Sequence, residues 1–234
     1  MTLNELKKTI KDMAISGKGI LAADESEKTA GKRLASIGAE NTEEMRRQYR
    51  NMILTAPGFE QFIVGVILYE ETLAQKTDSG ILFPDYLTKI GVVPGIKVDK
   101  GLHAFEDSEI EQYTEGLEGL GDRLEKYKKM GCRFTKWRAI YTIGGATPTE
   151  ELVNKNADDL AEYAKICQDH GIVPIVEPEV LIDGTHSIDL CEEVTLRVQT
   201  ALFKALKVHE VDLQYMILKP SMVISGKEAK DRAD

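Results

Sequence analysis

The strongest constraint on this chain is a repeated unit: a short apolar run ending on an ionisable residue, then a longer amphipathic stretch. The runs are "KGILAAD" (18–24), "FIVGVILYE" (62–70), "VVPGIKVD" (92–99), "RFTKWRAI" (133–140), "GIVPIVEPE" (171–179) and "YMILK" (215–219). They have the length and the Val/Ile content of buried strands. They end at Asp24, at Glu70, at Lys97 with Asp99, at Lys136 with Arg138, at Glu177 with Glu179, and at Lys219, so the unit recurs every 27 to 46 residues.

The intervening stretches predict helices. Residues 41–54 begin with Asn41 as cap and then acidic residues. Residues 107–131 carry Leu117, Leu120 and Leu124 at helical spacing and close in lysines and Gly131, with "EDSEIE" (106–111) as an acidic helix start. Residues 147–171 offer a Thr cap, Pro at the first turn and a closing Gly. Residues 187–209 start at Ser187, with Asp189 in the first turn.

Strand–helix alternation predicts a parallel sheet with helical crossovers. A doubly wound sheet would carry a glycine-rich turn after its first strand, and no GxGxxG occurs. A barrel places polar residues at the C-terminal ends of nearly all its strands, which is the pattern here. The fold expected is therefore α/β, a (β/α)8 TIM barrel, with six of the eight strands present in this chain. No linker divides residues 1–234, so one domain is expected, C-terminally incomplete. Two more units, about 80 residues, would complete the barrel. The expectation is a fragment or a chain that continues past Asp234.

Composition narrows the function. Of 234 residues, 42% are hydrophobic and 29% charged, with a formal net charge of −9. That balance argues against nucleic acid as the main partner. No apolar run approaches the roughly 20 residues that span a bilayer, and the amphipathic start lacks a signal-peptide core. Cys132, Cys167 and Cys191 are odd in number and far apart, as suits reduced thiols in the cytoplasm. His103, His170, His186 and His209 stand alone and read as surface or loop residues, so no metal site is expected.

The strand ends carry the chemistry. Residues two apart share a face of a strand, so Lys136 with Arg138, and Glu177 with Glu179, point together. Alternate barrel strands fill one layer, which lets Lys136 and Lys219 approach each other beside Glu177. Burial and a neighbouring cation both favour an uncharged amine, and a neutral lysine attacks carbonyls to form a Schiff base. Glu177 would serve as acid and base, and Asp24 would accept a hydroxyl proton. Arg138, Lys97 and Lys32 or Arg33 would meet phosphate oxygens. Trp137 alternates away and is expected to pack between sheet and helices.

The ordered motifs "GKGILAADES", "NTEEMRRQYR", "GVILYEETL", "PGIKVDKG", "FTKWRA", "GIVPIVEPE" and "ILKPSMV" resemble class I fructose-1,6-bisphosphate aldolases from about residue 5 to 226. The resemblance implies a (β/α)8 barrel, usually a homotetramer, needing no metal and no cofactor, and acting on a phosphorylated sugar. It makes Lys219 the Schiff-base lysine, Glu177 the acid/base with Glu179 its companion, and Lys136 and Asp24 their partners. It places Arg138, Lys97, Ser26, Thr29 and Arg33 on the substrate phosphate. "DESEKTAGKR" departs from the animal "DESTGS" pattern, Thr29 stands where those enzymes have Ser, and Ser221 stands where Asn is usual. The family's seventh and eighth strands carry a Ser-Gly-Gly loop and an arginine that are not among these residues. A molecule lacking them is expected to have little or no aldolase activity, leaving a binding or structural role as the alternative.

Overall fold

The computed structural model describes residues 2–232. Its elements run α1 (Thr2–Met13), β1 (Gly19–Ala23), α2 (Glu27–Ala35), α3 (Glu43–Leu54), α4 (Phe59–Phe62), β2 (Ile63–Leu68), α5 (Glu70–Ala74), α6 (Phe83–Lys89), β3 (Val93–Lys97), β4 (Leu102–Ala104), β5 (Gln112–Thr114), α7 (Leu120–Lys129), β6 (Phe134–Tyr141), α8 (Glu150–Asp169), β7 (Val173–Val180), α9 (Ile188–Val208) and β8 (Ile217–Leu218). Six strands form one parallel sheet in the order β1-β2-β3-β6-β7-β8. This is the sheet of a partial barrel.

Alternation sorts the side chains into two cores. Outward residues such as Val66, Ile96, Trp137 and Val176 join α7, α8 and α9 in the larger cluster. Trp137 packs against Tyr163 of α8 with ring centroids 5.4 Å apart, as its parity requires. Inward residues Ile67, Val93, Phe134, Val173 and Ile175 form the smaller cluster with Leu6 and Met13 of α1, which seals the N-terminal end of the sheet's concave face. The Phe134 ring lies so close to β3 that a Cβ on Gly95 would stand 2.3 Å from it, so only glycine fits there.

Several expected boundaries move. Residues 107–131 are not one helix: residues 112–114 form β5, which pairs antiparallel with β4, and α7 starts only at Leu120. Gly116 and Gly119 have φ of 130° and 63° and interrupt the leucine period. Thr42, not Asn41, caps α3, since the Met45 N–H donates to its Oγ1 at 3.1 Å. Asn41 instead donates to the Glu27 carbonyl and accepts from Arg46. Thr149 caps α8, so Pro148 precedes the helix rather than opening it. Ser187 caps α9 as read. The last strand shrinks to two residues, because Leu213–Tyr215 turn as a 3-10 helix. His186 lies in a loop but is buried. The three cysteines are buried and free, and no helix among the described residues is long and apolar enough to cross a membrane.

Candidate active site

Parallel register sets the inward charged residues beside one another toward the C-terminal edge of the sheet, although β6 and β7 run on past the expected ends, with Lys136 third of eight residues and Glu177 fifth of eight. Lys97 stands opposite Lys136, and Arg138 opposite Glu177. Beyond the last hydrogen-bonded residue of β8, the Lys219 N–H still donates to the Val176 carbonyl at 2.9 Å, which fixes its strand-like direction. The β4–β5 hairpin lies over the same edge, where the Thr114 hydroxyl donates to the Arg138 carbonyl at 2.7 Å.

At the centre are three buried groups: Asp24, Lys136 and Glu177, 8%, 6% and 4% exposed. Lys136 Nζ meets Asp24 Oδ2 at 2.5 Å and Glu177 Oε2 at 3.3 Å. Burial opposes its charge, but Asp24 and then Glu177 outweigh burial and hold its pKa above the ordinary lysine value. Lys136 therefore remains an ammonium at neutral pH. The other oxygen of Glu177 accepts a short hydrogen bond from Lys219 Nζ. One carboxylate thus bridges the two lysines that alternate strands were expected to bring together. The environment of Lys219 differs from the expected one: among the described residues its side chain is 45% exposed. The Glu177 carboxylate stands beside it at hydrogen-bond distance.

A cavity of about 560 Å³ opens beside this centre. Asp24, Lys136, Glu177, Glu179, Arg138, Lys97, Ser26, Thr29 and Arg33 all line it. Lys219 is not among the lining residues, but it contacts Glu177, which is. Lys32 points into solvent and lies outside the lining. Most of the lining cations meet internal carboxylates: Arg33 with Glu25, Lys97 with Asp99, Arg138 with Glu179. Ser26 caps α2, accepting from the Thr29 N–H at 3.3 Å, and both hydroxyls face the cavity. Ser221 Oγ accepts from the Val180 N–H at 3.0 Å, tying the segment after Lys219 to the end of β7. Glu70 departs from the cluster: it accepts from the Tyr127 hydroxyl at 3.0 Å beside a separate cavity of about 300 Å³.

Three supporting residues were given no role from the sequence. Glu25 anchors Arg33, and buried Arg50 anchors Glu25, with Nη2 2.9 Å from Oε2 and 3.0 Å from the Glu25 carbonyl. Burial pushes the Arg50 pKa down, while Glu25 opposes that shift. The third is Asp99, which the sequence set beside Lys97 on one strand face and which the structure makes that lysine's carboxylate partner. A signal existed: Arg46, Arg50 and Leu54 recur every four residues along the buried stripe of α3, and buried arginines require carboxylate partners.

Known proteins supply the family. A family model described as fructose-bisphosphate aldolase class-I matches residues 5–234. The chain belongs to the class I fructose-bisphosphate aldolase family. Within that family it is 48% identical over 233 residues to a probable class 1 fructose-bisphosphate aldolase of Xanthomonas axonopodis pv. citri, covering 100% of this chain and 70% of the relative. It is 54% identical over 213 residues to the cytosolic fructose-bisphosphate aldolase 4 of Arabidopsis thaliana, covering 91% of this chain and 54% of that protein. The solved fructose-bisphosphate aldolase of Plasmodium falciparum superposes with a TM-score of 0.96 at 44% identity, over 100% of this chain and 68% of that one. The chain thus spans between about half and 70% of the length of these aldolases.

Proposed function

We propose that the chain carries the Schiff-base half of an aldolase reaction, the reversible cleavage of fructose 1,6-bisphosphate to dihydroxyacetone phosphate and glyceraldehyde 3-phosphate in glycolysis and gluconeogenesis. The observation that carries this reading is Glu177, shared between Lys219 and Lys136. Glu177 takes a proton from Lys219, and the neutral amine attacks the substrate ketone at C2. The carbinolamine loses water as Glu177 returns the proton, giving an iminium. Asp24 or Glu177 then removes the C4 hydroxyl proton. The C3–C4 bonding pair flows into the iminium, releasing the aldehyde and leaving an enamine. Protonation at C3 and hydrolysis release the second product and restore the amine.

Lys136, kept charged by its two carboxylates, stabilises their anionic forms as protons move. Glu179 orients Arg138. Arg138, Lys97, Arg33 and the hydroxyls of Ser26 and Thr29 are assigned to the phosphate at the end of the sugar remote from the ketone, because Ser26, Thr29 and Arg33 follow β1, at the opposite edge of the described sheet from β8 and Lys219, and share one cavity with Lys97 and Arg138. No step calls for a metal or a cofactor. By resemblance the chain is placed in the cytoplasm as part of a homo-oligomer, a tetramer, which light scattering tests.

Borohydride reduction with fructose 1,6-bisphosphate tests the whole reading. The expected outcome is a covalent adduct mapping to the Lys219 peptide, insensitive to a chelator. Without that adduct, the chain retains at most a binding role.

A further inference from the structure

One lining cation is left out of the internal pairing. Lys28, in the first turn of α2, lines the cavity and is exposed. Among the described residues it forms no ion pair, whereas every other cation of the lining is already engaged by a carboxylate. Arg33 is doubly held, since it also donates to the Tyr49 hydroxyl at 2.9 Å, and its partner Glu25 is fixed from beneath by buried Arg50. An incoming phosphate would have to break those contacts to recruit Arg33. It would break none to recruit Lys28.

Lys28 also sits between two hydroxyls that face the same cavity, Ser26 and Thr29. The two hydroxyls and the ammonium lie within one turn of α2, whose N-terminus favours a negative group. The geometry points to Lys28 as a further cation that raises affinity for a phosphate at the end of the sugar remote from Lys219. The assignment rests on the Schiff-base reading for the orientation of the sugar. Arg33, held by Glu25 and the Tyr49 hydroxyl, braces α2 against α3 and adds less to that phosphate than Lys28 does. Lys28 accordingly sets the preference for a bisphosphate over a sugar carrying only the phosphate next to the ketone.

Calorimetric titration of the whole chain with fructose 1,6-bisphosphate and with fructose 1-phosphate tests this without requiring turnover. K28M should raise Kd for the bisphosphate about threefold to tenfold, as for one partly exposed charge contact. K28R should restore it, and Kd for fructose 1-phosphate should move less than twofold or so on the same scale. The loss should shrink as salt is raised. Lys28 is exposed, so the variant leaves the core intact. Equal bisphosphate affinity in wild type and K28M overturns the assignment, as does an equal loss for both sugars or no bisphosphate binding by the wild type. The borohydride adduct is read separately: its absence from a protein that binds bisphosphate through Lys28 removes the lyase reading alone.

Discussion

Lys136 and Lys219 are both carried by apolar parallel strands, and they hold opposite oxygens of one carboxylate. Their surroundings nevertheless differ. Lys136 is the third residue of an eight-residue strand with neighbours on both sides, and it is buried. Lys219 follows a two-residue strand at the edge of the sheet and stays half in water. The difference separates two tasks. A lysine locked between two carboxylates is a permanent charge that organises its neighbours. A lysine held by one carboxylate, with open space on its other side among the described residues, is within reach of a ligand.

The largest effect expected from this contrast is on reactivity. K219R keeps a cation but removes the primary amine, so cleavage and borohydride trapping should fall by at least about 10³-fold. Residual trapping on another lysine would break the comparison.

Stability should show the reverse ranking. K136M strands two buried carboxylates and should cost about 3–5 kcal/mol in urea unfolding. K219M leaves Glu177 still facing Lys136 and should cost less than about 1 kcal/mol. Equal losses would mean that the two lysines share one structural role.

The strands themselves sharpen the contrast. Ile175 and Ile217 are register partners on β7 and β8, the first buried and the second half-buried. I175A should cost about 2–5 kcal/mol and I217A roughly 1–2 kcal/mol, read from denaturant midpoints.

Per group, a comparably small effect is the pH response of the central region. Burial pushes the thiols of Cys132 and Cys167 up to about 12, from an ordinary 9.0. Across that window the unfolded chain releases protons that the folded chain keeps, so stability falls as pH rises. The loss should be about 1 kcal/mol per thiol by pH 10, seen as a declining Tm and halved in C167A after correction for its own baseline.

Much of this was legible because strand parity is strict. Lys136 with Arg138, and Glu177 with Glu179, share a face by spacing alone, and Trp137 is sent outward by the same rule. The helix at 107–131 failed where a leucine period ran across two glycines in the left-handed region, whose backbone preference overrides the pattern. The exposure of Lys219 was hidden because burial depends on what flanks a strand, which its own residues do not encode. The Arg50–Glu25–Arg33 chain was hidden for a similar reason: its members lie on α2, α3 and the loop after β1, and only tertiary packing joins them.

The contact between Gly95 and Phe134 carries an evolutionary corollary. Neighbouring strands have fused two positions into one character, a bare backbone beneath an aromatic disc. Drift at either site alone meets a steep penalty, so related sequences should trade the two together, with a larger residue at 95 appearing only where 134 has become small.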